Sequence, residues 1–202
     1  MNKYIDIQYF GNIYWINMLL KNTNNIFSLF ENGKKLSFQN RTIIAGGNGL
    51  ITLSTPLLGG RDKRQSFGEI KIAYQKKWQH EHLRSIESCY AKSVYWEYYK
   101  DSLFQLFLLE PELLYEWNKA CLVWVYTCLK QRPNFEFTWE RPLEKLHDSN
   151  DNLPKNYQSL SRDAKYQQVF MERHGFQNNL SVIDLIFCCG PDAVTILEKS
   201  KE

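Results

Sequence analysis

The chain has 202 residues, 44% of them hydrophobic, and a formal net charge of +3, which is typical of a globular protein long enough to bury a core. The charge is spread along the sequence without a block of Lys and Arg, so a nucleic-acid-binding role gains little support. Because no run of 18 apolar residues occurs, we expect no transmembrane helix.

Five cysteines, an odd number without any C-x-x-C spacing, argue against a disulfide framework and a zinc ribbon. The N-terminus has an acidic residue inside its short apolar part and no small-residue cleavage pattern, unlike a secretory signal. We therefore expect a cytoplasmic protein with reduced thiols, and we predict no metal and no cofactor.

The first third of the chain predicts β-strands with one helix. Asn12 can cap a short apolar helix that runs to Leu19. Asn48-Gly49 can supply the positive-φ residues of a type I′ turn, which predicts an antiparallel hairpin. The predicted strands cover residues 25–30, 42–45, 50–57 and 69–74.

From Lys77 the period of the apolar residues becomes helical, with one stripe through Gln79, Leu83, Ile86 and Tyr90. The remaining predicted elements are helices at 103–108, 113–129 and 166–172, a strand at 135–139, a surface loop at 147–161, and two final helices divided by Cys189-Gly190-Pro191. Strands followed by helices predict an α+β fold, with an N-terminal antiparallel β-rich part and a mainly helical part. We expect residues 1–202 to form one domain.

His80 and His82 lie in a segment dense in aromatic and titratable residues. On a helix, residues two apart point about 200° away from each other, so the pair is a poor metal site. Both are expected to flank the apolar stripe. His82 is either a boundary histidine that is hydrogen-bonded to the fold or a general base, because imidazole is easily tuned near neutral pH.

Asp184 is the only charged residue in an apolar run from Leu180 to Phe187. A lone carboxylate there suggests a catalytic group, since desolvation raises its pKa. Ser181 and Asp184 also have capping-box spacing, in which the carboxylate would accept a hydrogen bond from the Ser181 N–H. We favour the cap as the main role, with placement near a site as a secondary one.

Other polar residues have both structural and functional interpretations. Arg41, beside Asn40, can be solvated or paired, although its planar fork suits a carboxylate or phosphate. Gln8 is equally suited to an early strand. The loop at Gly59-Gly60-Arg61 lacks the Walker A pattern and is a weak phosphate-binding candidate.

Six segments in order resemble the WbqC-like proteins of bacterial surface-polysaccharide biosynthesis. They are Gln8-Tyr9-Phe10 and residues 37–44, 49–57, 78–99, 166–170 and 174–191. His82 matches the histidine that follows the tryptophan of this pattern by four residues, whereas His80 matches only a subset of relatives.

The resemblance implies a role in making O-antigen or other surface glycans, including N-acylated amino sugars. It favours transfer of an acyl or aminoacyl group from a donor to a nucleotide-linked amino sugar. Such chemistry needs a base, donors to a developing oxyanion and a flat wall for the sugar. We assign catalytic roles to His82 and Asp184, and substrate binding to Gln8, Asn40, Arg41, Trp78, His80 and Tyr90. A non-catalytic carbohydrate- or carrier-binding module is the alternative. We predict that His82, Tyr90, Arg41 and Gln8 converge on one pocket.

Overall fold

A small parallel sheet joins the N-terminal segment of the chain to residues 135–138. The computed structural model describes residues 4–34, 36–59, 65–141, 154–160 and 165–199. Strand β2 (Asn25–Ser28) lies between β1 (Tyr4–Ile5) and β5 (Phe135–Thr138), and both pairings are parallel. The helix α1 (Ile13–Lys21) connects β1 to β2. As predicted, Asn12 caps this helix, because its side chain accepts a hydrogen bond from the Trp15 N–H at 3.0 Å. The parallel pairing was not predicted.

The predicted hairpin is formed by β3 (Arg41–Gly46) and β4 (Gly49–Ser54), which pair antiparallel. The turn differs from the prediction. Gly46 and Gly49 are register partners, so Gly47 and Asn48 form the loop, and the positive φ falls on Gly49 at 120°. Glycine tolerates this positive φ because it has no side chain, so it is needed at Gly49, the first residue of β4, and not inside a type I′ turn.

Three longer helices follow and confirm the α+β prediction: α2 (Trp78–Tyr90), α3 (Trp96–Phe107) and α4 (Leu114–Cys128). Helix α2 packs against β3, and α3 packs against both α2 and α4. Trp78, Trp117 and Phe107 bring α2, α4 and α3 together through edge-on and tilted ring contacts. Large aromatic rings thus fill the space between the helices and fix the position of α2.

The C-terminal helices are α5 (Met171–His174), α6 (Val182–Cys189) and α7 (Ala193–Lys199). Helix α6 is buried over almost its whole circumference, as expected for a helix that is apolar all round. Its start is tied to the start of α1, because Val182 N–H donates to the Gly11 carbonyl and Ile13 N–H donates to the Leu180 carbonyl. Asp184 is thereby placed at the centre of the core.

Several local predictions were wrong. Residues 69–74 form no continuous strand; a short 3₁₀ turn at Phe67–Glu69 and isolated bridges to Leu57 and Leu113 replace it. Of the helix predicted at 166–172, only residues 171 and 172 are helical, as the start of α5. Gly60 and Arg61 lie outside the described residues, as do residue 161 and the part of the predicted loop from 147 to 153. Residues 157–159 of that loop form a 3₁₀ turn with Tyr157 buried.

Candidate functional site

The buried face of α2 carries the candidate site residues. Trp78, His82, Ile86 and Tyr90 are buried and follow one another at intervals of four residues, the spacing that places side chains on one face of a helix. The predicted stripe through Gln79 and Leu83 was wrong by about one residue, since both are only half-buried. His82 therefore lies at the centre of the buried face and does not flank it.

His82 is hydrogen-bonded to Tyr9, which the sequence placed only beside Gln8. The Tyr9 hydroxyl lies 2.9 Å from His82 Nδ1, and the two rings stack with centroids 5.8 Å apart. Tyr9 is fully buried and the exposed fraction of His82 is 6%. Because the partners are far apart in sequence, tertiary packing alone forms this pair.

Burial sets the charge of this pair. It lowers the pKa of His82 from 6.5 to about 4, while a hydrogen bond with the Ser54 backbone acts in the opposite direction. The Ser54 backbone therefore lies beside the imidazole and favours its protonated form. In the neutral ring, an unprotonated Nδ1 can accept a hydrogen bond from the Tyr9 hydroxyl. Burial also raises the pKa of Tyr9, which keeps its proton. The pair is therefore uncharged at neutral pH.

Aromatic rings surround the imidazole. The Trp78 ring meets His82 edge-on with centroids 5.1 Å apart, and Trp117 lies 5.4 Å from Trp78 and 6.0 Å from Tyr9. Phe107 closes the group, 6.5 Å from His82. These rings offer flat apolar walls beside a group that can exchange a proton, a combination suited to sugars and acyl groups.

The open end of the hairpin lies beside this group. Arg41 and Ser54 are register partners, and Ser54 is the residue whose backbone contacts His82. Asn40 is fixed there, since its Nδ2 donates to the Thr55 carbonyl at 3.0 Å and its own carbonyl accepts from the Thr55 N–H at 2.8 Å. The predicted residues Arg41 and Asn40 are therefore positioned on the same end of the fold as His82.

Gln8 has a structural contact. Its Oε1 accepts from the Asn12 N–H at 3.2 Å, so it supports the start of α1 next to Tyr9. His80, by contrast, is exposed on α2 while His82 is buried, as the two-residue spacing predicted.

Asp184 forms a second polar cluster with two tyrosines. The Tyr90 hydroxyl donates to its Oδ2 at 2.8 Å, and the Tyr166 hydroxyl donates to its Oδ1 at 2.6 Å. Gln168 Nε2 donates to the Tyr166 oxygen at 3.1 Å. Burial raises the pKa of Asp184 from 3.8 to about 6, and the hydrogen bonds from Tyr166, Tyr90 and Gln168 act in the opposite direction. A fully buried carboxylate is thus held by hydroxyl donors without a cation among them.

The capping-box prediction for Asp184 was wrong. Ser181 does cap α6, since its side chain accepts from the Ile183 N–H. However, the Ser181 N–H donates to the Ile43 carbonyl at 2.9 Å. Both carboxylate oxygens of Asp184 point instead to the tyrosines. A tertiary hydrogen bond has replaced the local one.

The two polar clusters are distinct. His82 and Tyr90 share a helix face but are two turns apart, a rise of about 12 Å, and each bonds to a different partner. The structure brings His82 to the hairpin end of Arg41 and Asn40, and Tyr90 to Asp184. Convergence of all of them on one pocket stays a prediction.

Several residues of the two clusters and their surroundings were not predicted from the sequence: Tyr9, Thr55, Trp117, Asn118, Tyr166 and Gln168. Tyr9, Tyr166 and Gln168 lie in segments that carry the family resemblance, so this was a usable signal. Thr55 also lies in such a segment, whereas Trp117 and Asn118 lie on an ordinary amphipathic helix. Only their contacts across the fold reveal them.

Other chemistry is limited in the described part of the chain. There, no group of three or more His, Cys, Asp or Glu side chains could hold a metal ion. All five cysteines are free, and burial raises the pKa of each thiol. No helix among the described residues has the length and apolar character needed to cross a membrane.

A model of the WbqC-like protein family matches residues 27–154 and 148–196. No curated protein and no solved structure matches the chain.

Proposed function

Because the chain belongs to the WbqC-like protein family, we propose that it is a cytoplasmic transferase of bacterial surface-polysaccharide biosynthesis. It attaches an acyl or aminoacyl group to a nucleotide-linked amino sugar, and residues 1–202 act as one domain. The observation that carries this proposal is the uncharged His82–Tyr9 pair, enclosed by aromatic rings at the Arg41 end of the hairpin.

In the proposed reaction the sugar amine attacks the acyl carbonyl of the donor. The new bond joins the amine nitrogen to the acyl carbon, and the bond to the donor's leaving group breaks. The Tyr9 hydroxyl takes the amine proton as it passes its own proton to His82 Nδ1, the nitrogen that lies 2.9 Å from the hydroxyl oxygen. The imidazolium returns a proton through the same route to the leaving group.

The low pKa of His82 has a consequence for this step. With a pKa of about 4, the imidazole is a weak base in the free protein. A developing negative charge on the acyl oxygen would raise this pKa, because a nearby opposite charge favours the protonated ring. Arg41 is the proposed donor to that oxygen, and Trp78 is the proposed wall for the sugar ring.

The remaining candidate residues have supporting places in this proposal. Asn40 fixes the hairpin end beside Arg41, and Gln8 fixes the segment that carries Tyr9. Asp184 holds Tyr90 in the adjoining cluster. His80 is proposed as a contact for the outer part of the substrate, since it is exposed on the same helix.

Mass spectrometry of acylated products tests the proposal. The protein is incubated with a panel of nucleotide-linked amino sugars and with acyl and aminoacyl donors. His82→Ala should lower kcat by about 10²–10⁴-fold, the usual contribution of an acid–base group, and leave KM nearly unchanged. Tyr9→Phe should show a similar loss, while the exposed neighbour Glu81→Gln serves as the matched control. Full turnover by His82→Ala would refute the assignment.

The alternative, a carbohydrate- or carrier-binding module, is favoured by one observation. His82 has an exposed fraction of only 6%, and its polar contacts, with the Tyr9 hydroxyl and the Ser54 backbone, are made within the protein. In that case the wild-type protein binds a panel sugar and acylates none of them, and His82→Ala lowers stability or affinity alone.

A further inference from the structure

Four buried polar groups near His82 lack hydrogen-bond partners among the residues that the structure describes. They are the indole N–H groups of Trp78 and Trp117, the Thr55 hydroxyl and the Asn118 side-chain carbonyl. Each residue has an exposed fraction of 3% or less. Leaving a buried polar group unpaired costs free energy, so native structures rarely retain such groups without a reason.

Three groups of the same types have hydrogen-bond partners elsewhere in the fold. The Trp15 indole donates to the Asp6 carbonyl at 3.1 Å, and the Trp124 indole donates to Ser102 Oγ at 3.0 Å. The buried hydroxyl of Thr42 donates to the Phe10 carbonyl at 3.0 Å. Buried hydroxyls are also unpaired at Ser28, Tyr99 and Tyr157, but only near His82 do two unpaired indole groups occur together with an unpaired hydroxyl and an unpaired amide carbonyl among the described residues.

The four residues lie in segments that contact one another. Trp78 and Trp117 contact each other, Trp78 contacts His82, and Trp117 contacts Tyr9. Asn118 follows Trp117 in α4 and donates through Nδ2 to the Gln39 carbonyl at 2.8 Å. This contact brings Asn118 to the residue before Asn40, whose main chain pairs with Thr55. We call Trp78, Trp117, Thr55 and Asn118 the unpaired cluster.

The unpaired cluster defines the chemistry of a ligand. It presents two N–H donors, one hydroxyl that donates or accepts, and one carbonyl acceptor. None of its four side chains is charged, and it adjoins the neutral His82–Tyr9 pair. A phosphate or carboxylate would find no countercharge among these four side chains, whereas the hydroxyls of a sugar both accept and donate, and its apolar face packs on indole rings.

We propose that the unpaired cluster is the binding subsite for the uncharged ring of the sugar, with Trp78 and Trp117 donating to ring hydroxyl or carbonyl oxygens and Thr55 and Asn118 completing the set. This inference rests on the proposed function, because it places the acceptor of that reaction. The nucleotide portion of the substrate lies outside the cluster.

Indole ¹H–¹⁵N NMR spectra of the full chain test this subsite. Single Trp→Phe variants assign the indole cross-peaks. D-glucosamine, D-galactosamine and their N-acetyl forms are then titrated at millimolar concentrations, with sodium acetate as the anionic probe. The sugars should shift the Trp78 and Trp117 cross-peaks and leave those of Trp15 and Trp124 in place, and acetate should shift none. Unchanged Trp78 and Trp117 peaks with all four sugars would overturn the inference.

Two threonines give a matched pair of variants. Thr55→Val removes an unpaired hydroxyl, so the Tm should stay equal or rise while sugar affinity falls by about tenfold, as expected for one hydrogen bond. Thr42→Val removes a satisfied hydroxyl, so the Tm should fall while affinity is kept. The inference fails if Thr55→Val lowers the Tm as much as Thr42→Val does and leaves affinity unchanged.

These measurements separate the subsite from the reaction. Sugar-dependent shifts without any acylated product would support the subsite and contradict the transferase. Acylation of an amino sugar without shifts at Trp78 and Trp117 would support the transferase and overturn the subsite.

Discussion

Replacing Asp184 by Asn should make the protein more stable at neutral pH, although it changes a buried and hydrogen-bonded carboxylate. A protonated carboxyl and an amide each offer one donor and one acceptor side to Tyr90 and Tyr166. At pH 4, where the folded wild-type carboxyl is protonated, the variant should therefore be about as stable as the wild type. The difference develops as the pH rises.

The magnitude follows from the two pKa values. Asp184 has a pKa of about 6 in the fold against an ordinary value of 3.8. The stability that the protonated carboxyl contributes to the fold is therefore complete below pH 3.8 and is lost as the pH rises through about 6. At about 1.36 kcal/mol per pKa unit, ionising this group in the fold costs about 3 kcal/mol by pH 7. The amide of the Asp184→Asn variant cannot ionise, so the free energy of unfolding of the variant should exceed that of the wild type by up to this amount.

Urea unfolding monitored by tryptophan fluorescence at several pH values from 4 to 7 measures this difference. Other titrating groups are shared by both proteins and cancel in the comparison. Asp192→Asn, which removes an exposed carboxylate in the connection after α6, is the matched control. A difference for Asp184→Asn that is the same at pH 4 and pH 7 would refute burial as the cause of the raised pKa.

Three other outcomes are expected. His82 should stay neutral down to about pH 4 in an NMR titration, and a midpoint near 6.5 would contradict its burial. The stability that the neutral imidazole contributes is complete above pH 6.5 and is lost as the pH falls towards 4. At Gly190 φ is 53°, and a Cβ would lie 2.4 Å from the Tyr95 ring. Gly190→Ala should therefore lower the free energy of unfolding by about 2 kcal/mol or more, as expected for a strained and overpacked core site. Gly175→Ala (φ 69°, no atom within 4 Å) should cost less in the same denaturation assay. Asn12→Ala should lower the free energy of unfolding by about 1 kcal/mol in that assay, because the α1 cap is lost; an unchanged value would contradict the cap.

Local signals predicted the elements of this fold well where they were decisive. Asn12 before an apolar helix and the glycines of the β3–β4 connection act within a few residues, and both the cap and the hairpin are confirmed. The period of α2 was almost right, because Ile86 and Tyr90 were recognised as buried. Trp78 shifted the stripe by one position, since its large ring determines which side of the helix can face the core.

Partners across the sequence could not be predicted in this way. Tyr9 meets His82, and Tyr90 and Tyr166 meet Asp184, only after separate helices pack. The capping-box prediction failed for the same reason. The spacing was correct, but the Ser181 N–H donates its hydrogen bond to the Ile43 carbonyl in a neighbouring strand. Spacing describes what a residue can do locally, and tertiary competition decides which option is used.

The position of β2 also affects how the chain folds. Its register partners are residues 4–5 on one side and 135–138 on the other, so the second edge of β2 has no strand to pair with until the chain beyond α4 is present. Closing so long a loop carries an entropic cost that must be met before the pairing is gained, which slows folding. During synthesis on the ribosome, the edge of β2 that pairs with β5 stays open until residues 135–138 have been made, and this interval is when aggregation or chaperone binding competes with the native sheet.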